Sequence, residues 1–556
     1  MYRANQYTFY AGRRSVMASV YVLVLGVFLC TLLVEAQNIH EAQLRREKFI
    51  LNREKEVRRQ LELKEDELAS LLRKEAERRK PPLKSFQTDP NDLEALKALY
   101  HSTNGSKWNN NTGWLKGDPC KYPYWYGLYC VSGRVLQINL VYNGLAGKIP
   151  AELAKASALQ VFRGYSNLIE GTIPPEIFTM QSLQIFDVNT NILSGTLPST
   201  ISMANLTYLT LYGNQFKGNL PSEWDTPNLQ GVELSSNMFT GQLPESFGQL
   251  TNLVEIVVSR NQLTGTFPAS YGDLSSLQRL WLFYNNFNSP SIQSSWRGMK
   301  SLQEIQADGL TGEFPQWIGQ SWPNLQSLVL VQGKLNGELP ESICDCRGLT
   351  VMRIFNNSMH GPIPRCVCDL RKLTDIELSD NGFTGAIPDC IGDIPGLESI
   401  VISRTSVSGE FPESIGNLRN LSLLDISSNR MTGEIPNSIN YLKEIAGFFI
   451  CYNKFSRVSS GCSNFFTRIK DYSCAFYSNP WSCPVSSEVP KECQAECSQC
   501  NSGDKHNYCS SCVQDSDCGW CNEGPNCLEG SQDGPDTIYQ CSPGDWSYGG
   551  SESSCP

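Results

Sequence analysis

The side chains able to do chemistry in this 556-residue chain are cysteines, a few histidines, and recurrent aromatic and arginine residues. Only four histidines occur (His40, His101, His360 and His506), and no two are close in sequence. That disfavours histidine-built metal sites and most general-base chemistry. There are 22 cysteines, with Cys30 in an apolar segment. Ten others, Cys493, Cys497, Cys500, Cys509, Cys512, Cys518, Cys521, Cys527, Cys541 and Cys555, crowd the C-terminus. Three C-x-x-C pairs among them match zinc spacing. Downstream of an export signal, ten cysteines with hardly any apolar core read more simply as five disulfides.

Five further cysteines follow the prolines of successive 24-residue units: Cys344, Cys346, Cys366, Cys368 and Cys390. Cys344 and Cys368 stand one unit apart, as do Cys366 and Cys390. Strands about 4.8 Å apart are within disulfide reach, so the spacing predicts the pairs Cys344–Cys368 and Cys366–Cys390. Cys346 is then left over, either buried or joined to a second chain.

The units that position these groups repeat L-x-x-L-x-L-x-x-N-x-L-x-G-x-I-P. The Asn falls at Asn143, Asn167, Asn191, Asn214, Asn237, Asn261, Asn285, Asn357, Asn381, Asn429 and Asn453. Gly333 and Thr405 replace it in two units, and one unit is two residues short around Asp308-Gly309, which makes about fourteen repeats. One turn of chain cannot bury its leucines alone, whereas stacked turns share a continuous core. The fold class predicted is an α/β solenoid in which each turn offers one short strand. Asn side chains should ladder between turns, and Gly-x-Ile-Pro should return the chain through a 3₁₀-like outer segment.

The third, fifth, seventh and eighth positions of each unit point out of the sheet. They contribute Arg163, Tyr165, Tyr208, Tyr212, Arg279, Trp281, Phe283, Tyr284, Arg353 and Phe355. Two readings stand: ordinary packing of sheet-surface aromatics, or a ligand surface centred on Trp281 and Tyr284, since Trp, Tyr and Arg dominate binding energies. Five sequons, at Asn104, Asn110, Asn205, Asn356 and Asn420, are expected glycan sites. A glycan at Asn356 would narrow the open face to the earlier repeats.

The consensus resembles the plant-type leucine-rich repeat of receptor-like proteins, receptor kinase ectodomains and polygalacturonase inhibitors, which implies a right-handed leucine-rich-repeat solenoid over about residues 88–488 with a parallel sheet on its concave side. Trp108, Trp114, Cys120 and the Trp125–Cys130 run resemble that family's N-terminal cap, which implies a Cys120–Cys130 disulfide. Asn479-Pro480-Trp481-Ser482-Cys483-Pro484 resembles its C-terminal cap. Cys509–Cys512, Cys518-Gly519-Trp520-Cys521 and Cys527-Leu528-Glu529-Gly530 resemble the PSI module of plexins, semaphorins and integrins, a small disulfide-bonded spacer.

Val16 to Val34 is a nineteen-residue uncharged, mostly apolar run behind Arg13-Arg14. It suits a retained signal-anchor with its N-terminus in the cytoplasm, or a cleaved signal ending near Val34-Glu35-Ala36. Residues 37–84 are rich in Glu, Lys, Arg, Leu and Gln and read as a helical stalk, either a single solvated helix or a weak coiled coil. The predicted organisation is tail 1–15, apolar run 16–34, stalk 37–84, N-cap 88–134, solenoid 135–457, C-cap 458–488 and cysteine-rich module 489–556.

Net charge is −10, with +6 in residues 1–84 (17 basic, 11 acidic) and −16 beyond, so nothing points to nucleic acid. The chain has no nucleophile–base spacing and no phosphate loop, so it is read as a non-enzyme without cofactor. The expected function is cell-surface or extracellular recognition of a protein, peptide or glycan on the concave face. A matrix or filament component and a secreted enzyme inhibitor are the alternatives. The membrane, through residues 16–34, and a second copy, through the stalk or Cys346, are the other expected partners.

Overall fold

A computed structural model describes residues 87–121 and 124–459, together with Phe465, Cys474–Ala475, Asn479 and the backbone of four short strands nearer the C-terminus. The chain divides into two units, Met1–Pro82 and Leu83–Pro556, and every described residue lies in the second. The apolar run 16–34 and the stalk fall outside the described residues, as do the pairings of the ten C-terminal cysteines.

Helix α1 (Pro90–Ser102) opens the described chain. Asp89 caps it by accepting from the Asn91 N–H, Pro90 fills the first turn, and Ala95, Leu96 and Leu99 face inward. The indoles of Trp108, Trp114 and Trp125 pack in sequence beside it, the first pair edge to face and the second tilted, with centroids 4.8 and 5.0 Å apart. Each indole N–H donates to a backbone carbonyl, of Thr103, Tyr126 and Lys116 respectively. A Cys120–Cys130 disulfide closes this cap. The strand Leu128–Val131 then pairs antiparallel with Arg134–Asn139, the first repeat strand.

From there the sheet runs parallel, one strand per repeat, to Gly447–Phe449 and then Cys474–Ala475, sixteen strands in all. Neighbouring strands pair at one full unit, as Glu255 with Arg279 and Ile256 with Leu280. The inward leucines, isoleucines and phenylalanines form one continuous core. Each fully buried Leu contributes about 1.5–3 kcal/mol of transfer free energy.

The residue before the ladder position is left-handed in repeat after repeat, with φ of 50–55° at Tyr142, Ser166, Thr190, Arg260, Tyr284 and Asn356. That conformation is costly for side chains other than Gly. The following Asn offsets the cost. Asn261 Nδ2 donates to the carbonyls of Leu234, Val258 and Ser259, and its Oδ1 accepts the Phe239 N–H. Thr405 joins the same ladder by donating to Asn429 Oδ1.

After most of these prolines the chain makes a short 3₁₀ turn, such as Glu245–Gln249, Arg365–Asp369 and Glu413–Asn417, and after Pro315 an α-helical one, Ile318–Ser321. Repeats three and four substitute extended segments, Thr200–Ser202 and Glu223–Asp225. These outer turns correct the expected disulfides. The bonds are Cys344–Cys366 and Cys368–Cys390, each 22 residues apart. The same stagger places Gly392 against Ser414 and Gly416 against Ser438. Outer turns therefore touch two residues short of a full unit, and cysteines at equal positions are not partners. Cys346 is buried, its Sγ against the Trp322 carbonyl at 3.4 Å. Burial, reinforced by Asp345, pushes its thiol up to about 12.

Towards the C-terminus, Cys518–Cys521 pairs antiparallel with both Cys527–Ser531 and Trp546–Tyr548. Among the described residues no helix is long and apolar enough to cross a membrane.

Candidate functional site on the inner face of the sheet

The sequence singles out ten inner-face residues, and the structure distributes them over three stretches. At the N-terminal end, Tyr165 meets Tyr142 edge to face, centroids 5.6 Å apart. Arg163 lies on a strand directly beside Asp187. Tyr208 lies over Gly231, where a Cβ would stand 2.7 Å from its ring, so the glycine is what lets the phenol lie flat across the next strand. Tyr212, two residues further along, is half-buried.

The central stretch gathers four of the ten. Arg279 Nη1 donates to Glu255 at 2.6 Å, and its Nε stands 3.6 Å from Glu304. The same guanidinium lies 5.8 Å from the Trp281 ring centroid. Trp281 and Phe283 are 6.2 Å apart, and Phe283 meets Tyr284 edge to face at 5.1 Å. Arg260, from the preceding repeat, covers the Tyr284 ring at 4.6 Å. Three repeats further on, Arg353 grips Asp375 bidentately at 2.7 Å, with Glu377 at 3.8 Å. Burial opposes the charge on Arg353, but the Asp375 and Glu377 carboxylates outweigh it and hold the guanidinium above its ordinary value. Phe355 is buried beside it, and Asn356 is exposed.

The expectation of an open face with exposed aromatics is corrected. Trp281 is 2% exposed, Phe283 4%, Arg163 4% and Tyr208 9%, although none belongs to the hydrophobic core. Strands about 4.8 Å apart press equal positions into rows, and ion pairs run across those rows.

At the short repeat the ladder breaks. No Asn follows Gly309, and Gly333 in the next repeat has no side chain to offer. Elsewhere the N–H at the left-handed position donates to the next repeat's carbonyl, as Arg260 does to Phe283. Here the Tyr284 N–H donates instead to Asp308 Oδ2 at 2.6 Å. Burial pushes the Asp308 carboxyl up to about 6, against the opposing effect of that hydrogen bond. Sequence reading missed Glu255, Arg260, Glu304 and Asp308. The first two sit in the same outward columns, which were read for rings and arginines of other repeats. Glu304 and Asp308 lie in outward columns as well, Glu304 directly beside Arg279, and their residue type gave no signal.

Among the described residues no cluster of three or more His, Cys, Asp or Glu is placed to hold a metal ion. What the arrangement supplies is rings, guanidiniums and carboxylates in fixed rows, which suits capture of an extended ligand.

Comparison with known proteins agrees with this architecture. Residues 227–287, and separately 205–226 and 420–442, match leucine-rich repeat models. No curated protein matches the chain. Among solved structures, PEPR1 with AtPEP1 aligns at 23% identity over 70% of this chain and 59% of that one, TM-score 0.58. A TDR receptor aligns at 26% identity over 62% and 60%, TM-score 0.56. The plant peptide hormone receptor RGFR1 in complex with RGF2 aligns at 26% over 65% and 69%, TM-score 0.51. The chain thus spans about 60% of the first two receptor chains. The fold is a leucine-rich-repeat solenoid of the kind seen in plant receptor ectodomains.

Proposed function

We propose that this protein is a non-catalytic extracellular recognition protein that captures a peptide or protein segment along the inner face, centred on repeats six to eight. The observation that carries this is the Trp281–Phe283–Tyr284 row, flanked by Arg260 and Arg279 and set where the Asn ladder stops. Likeness to RGFR1, a plant peptide hormone receptor in complex with RGF2, supports a peptide as ligand. Three disulfides between described cysteines support an oxidising compartment.

In this reading residues 16–34 deliver the chain across the membrane, as an anchor or as a cleaved signal, and residues 37–84 space the solenoid from it. Residues 489–556 form a PSI-like module, and Asn104, Asn110, Asn205, Asn356 and Asn420 carry glycans that leave the central inner face clear. The test pans a displayed library of random peptides against the full chain. The wild type is expected to retain a distinct peptide pool that the Trp281→Ala/Tyr284→Ala variant does not hold. An identical pool from both proteins refutes the assignment.

A further inference from the structure

We infer that the captured ligand presents a Lys or Arg side chain that runs along the Trp281–Tyr284 row to the Asp308 carboxylate, while a ligand carbonyl accepts the Trp281 indole N–H. This rests on the inner face being the capture surface.

The first observation is a donor in want of an acceptor. Trp281 is 2% exposed, yet among the described residues its Nε1–H has no hydrogen-bond partner. Its strand neighbours in register are Val257 and Gln306, and neither takes the bond. A buried N–H without an acceptor has lost its water and gained nothing in return, so a carbonyl brought by a ligand binds favourably there.

The second observation is a carboxylate in want of a cation. Asp308 accepts a neutral backbone N–H from Tyr284, and among the described residues no basic side chain forms an ion pair with it. Burial raises its proton affinity, which the Tyr284 hydrogen bond only partly offsets. The outward columns of repeats five to eight hold four carboxylates, Glu233, Glu255, Glu304 and Asp308, against two guanidiniums. Arg279 is shared between Glu255 and Glu304, and Arg260 lies on the Tyr284 ring. The site's own cations are engaged upstream of Asp308, which leaves negative charge at the far end of the row.

Between these two points the ring faces already hold guanidiniums, at 4.6 Å for Tyr284 and 5.8 Å for Trp281. A ligand cation would use the same attraction. Trp281 and Asp308 lie one strand over and two residues along, about 8 Å apart. That is the span between a peptide carbonyl and the end of an adjacent lysine or arginine side chain.

The test uses peptides from the panning experiment above, sequenced as a pool. Wild-type protein should enrich Lys or Arg about tenfold at one peptide position, the size expected of a buried charge-assisted contact. Asp308→Asn keeps an oxygen for the Tyr284 N–H and should melt as a folded protein, but should lose that enrichment. Titrating one enriched peptide near pH 6 should release protons as Asp308 ionises, seen as a binding heat that varies with buffer ionisation enthalpy. A pool that depends on Trp281 but shows no basic preference overturns this inference and leaves the capture surface standing, and so does a preference that survives Asp308→Asn. No capture, or capture indifferent to Trp281→Ala/Tyr284→Ala, removes both.

Discussion

The inner sheet and the outer turns are built from the same 24-residue unit, yet they are keyed to different registers. Inner strands align equal positions, Glu255 beside Arg279 and Arg279 beside Glu304, so charges can be alternated from repeat to repeat. Outer turns meet two residues early. Gly392 and Gly416 approach the backbone of Ser414 and Ser438, and the two disulfides bridge 22 residues rather than 24. Periodicity therefore tells which residues point alike, whereas contact depends on a stagger that differs between the two faces. The inner face holds large polar side chains at its aligned positions, whereas the outer turns admit only glycine where Gly392 and Gly416 meet the next turn.

The largest effect should come from enlarging the outer contact. A Cβ at Gly392 would lie 1.8 Å from the Ser414 carbonyl oxygen. Gly392→Val should therefore lower stability by more than about 3 kcal/mol, read as a fall in Tm, because the stack must separate there. A Tm within a degree of wild type would show that the outer turns slip freely.

Replacing Cys344 and Cys366 together by Ser opens a 22-residue link and should cost about 3 kcal/mol. Mapping of disulfide-linked peptides in the wild type should recover Cys344–Cys366 and Cys368–Cys390. Recovery of Cys344–Cys368 would remove the stagger.

On the inner side, Asn261→Ala strips an acceptor from the Phe239 N–H and a donor from three carbonyls. The expected loss is about 2 kcal/mol in denaturant melts, with faster amide exchange at Phe239. At Gly333 the ladder cannot be restored by Gly333→Asn, because a Cβ there would come within 2.3 Å of the Leu310 carbonyl oxygen.

The smallest effect is the most specific to the ladder break. Asp308 is pushed up to about 6 by burial, so its folded value lies above the unfolded 3.8. A raised carboxyl contributes stability that is fully present below the unfolded value and is lost as pH rises through about 6. The loss should be roughly 1–2 kcal/mol between pH 4 and pH 7. Asp308→Asn should flatten that part of the Tm profile, and an unchanged profile would assign the dependence to other groups.

Much of the solenoid was legible in the residues. The leucines at fixed offsets place the core, the recurrent Asn marks the ladder, Pro after Gly-x-Ile marks the outer turn, and the tryptophans around Cys120 mark the cap. Each of these depends on local spacing, which a sequence displays directly. The candidate site was only half legible. Arg279, Trp281, Phe283 and Tyr284 stood out by residue type, whereas Asp308, in the same column as Phe283, gains its role only from the hydrogen bond it accepts across the strands.

The amino-acid order alone determined that one unit repeats, which side chains face inward, and where the repeat fails. Those properties follow from the chain's own periodicity. Only the tertiary structure decided which cysteines bond, how far the inner-face rings are buried, and which carboxylate takes the Tyr284 N–H in place of the next repeat's carbonyl. Each of these depends on the stagger and spacing between stacked turns, which arises only when separate repeats pack together.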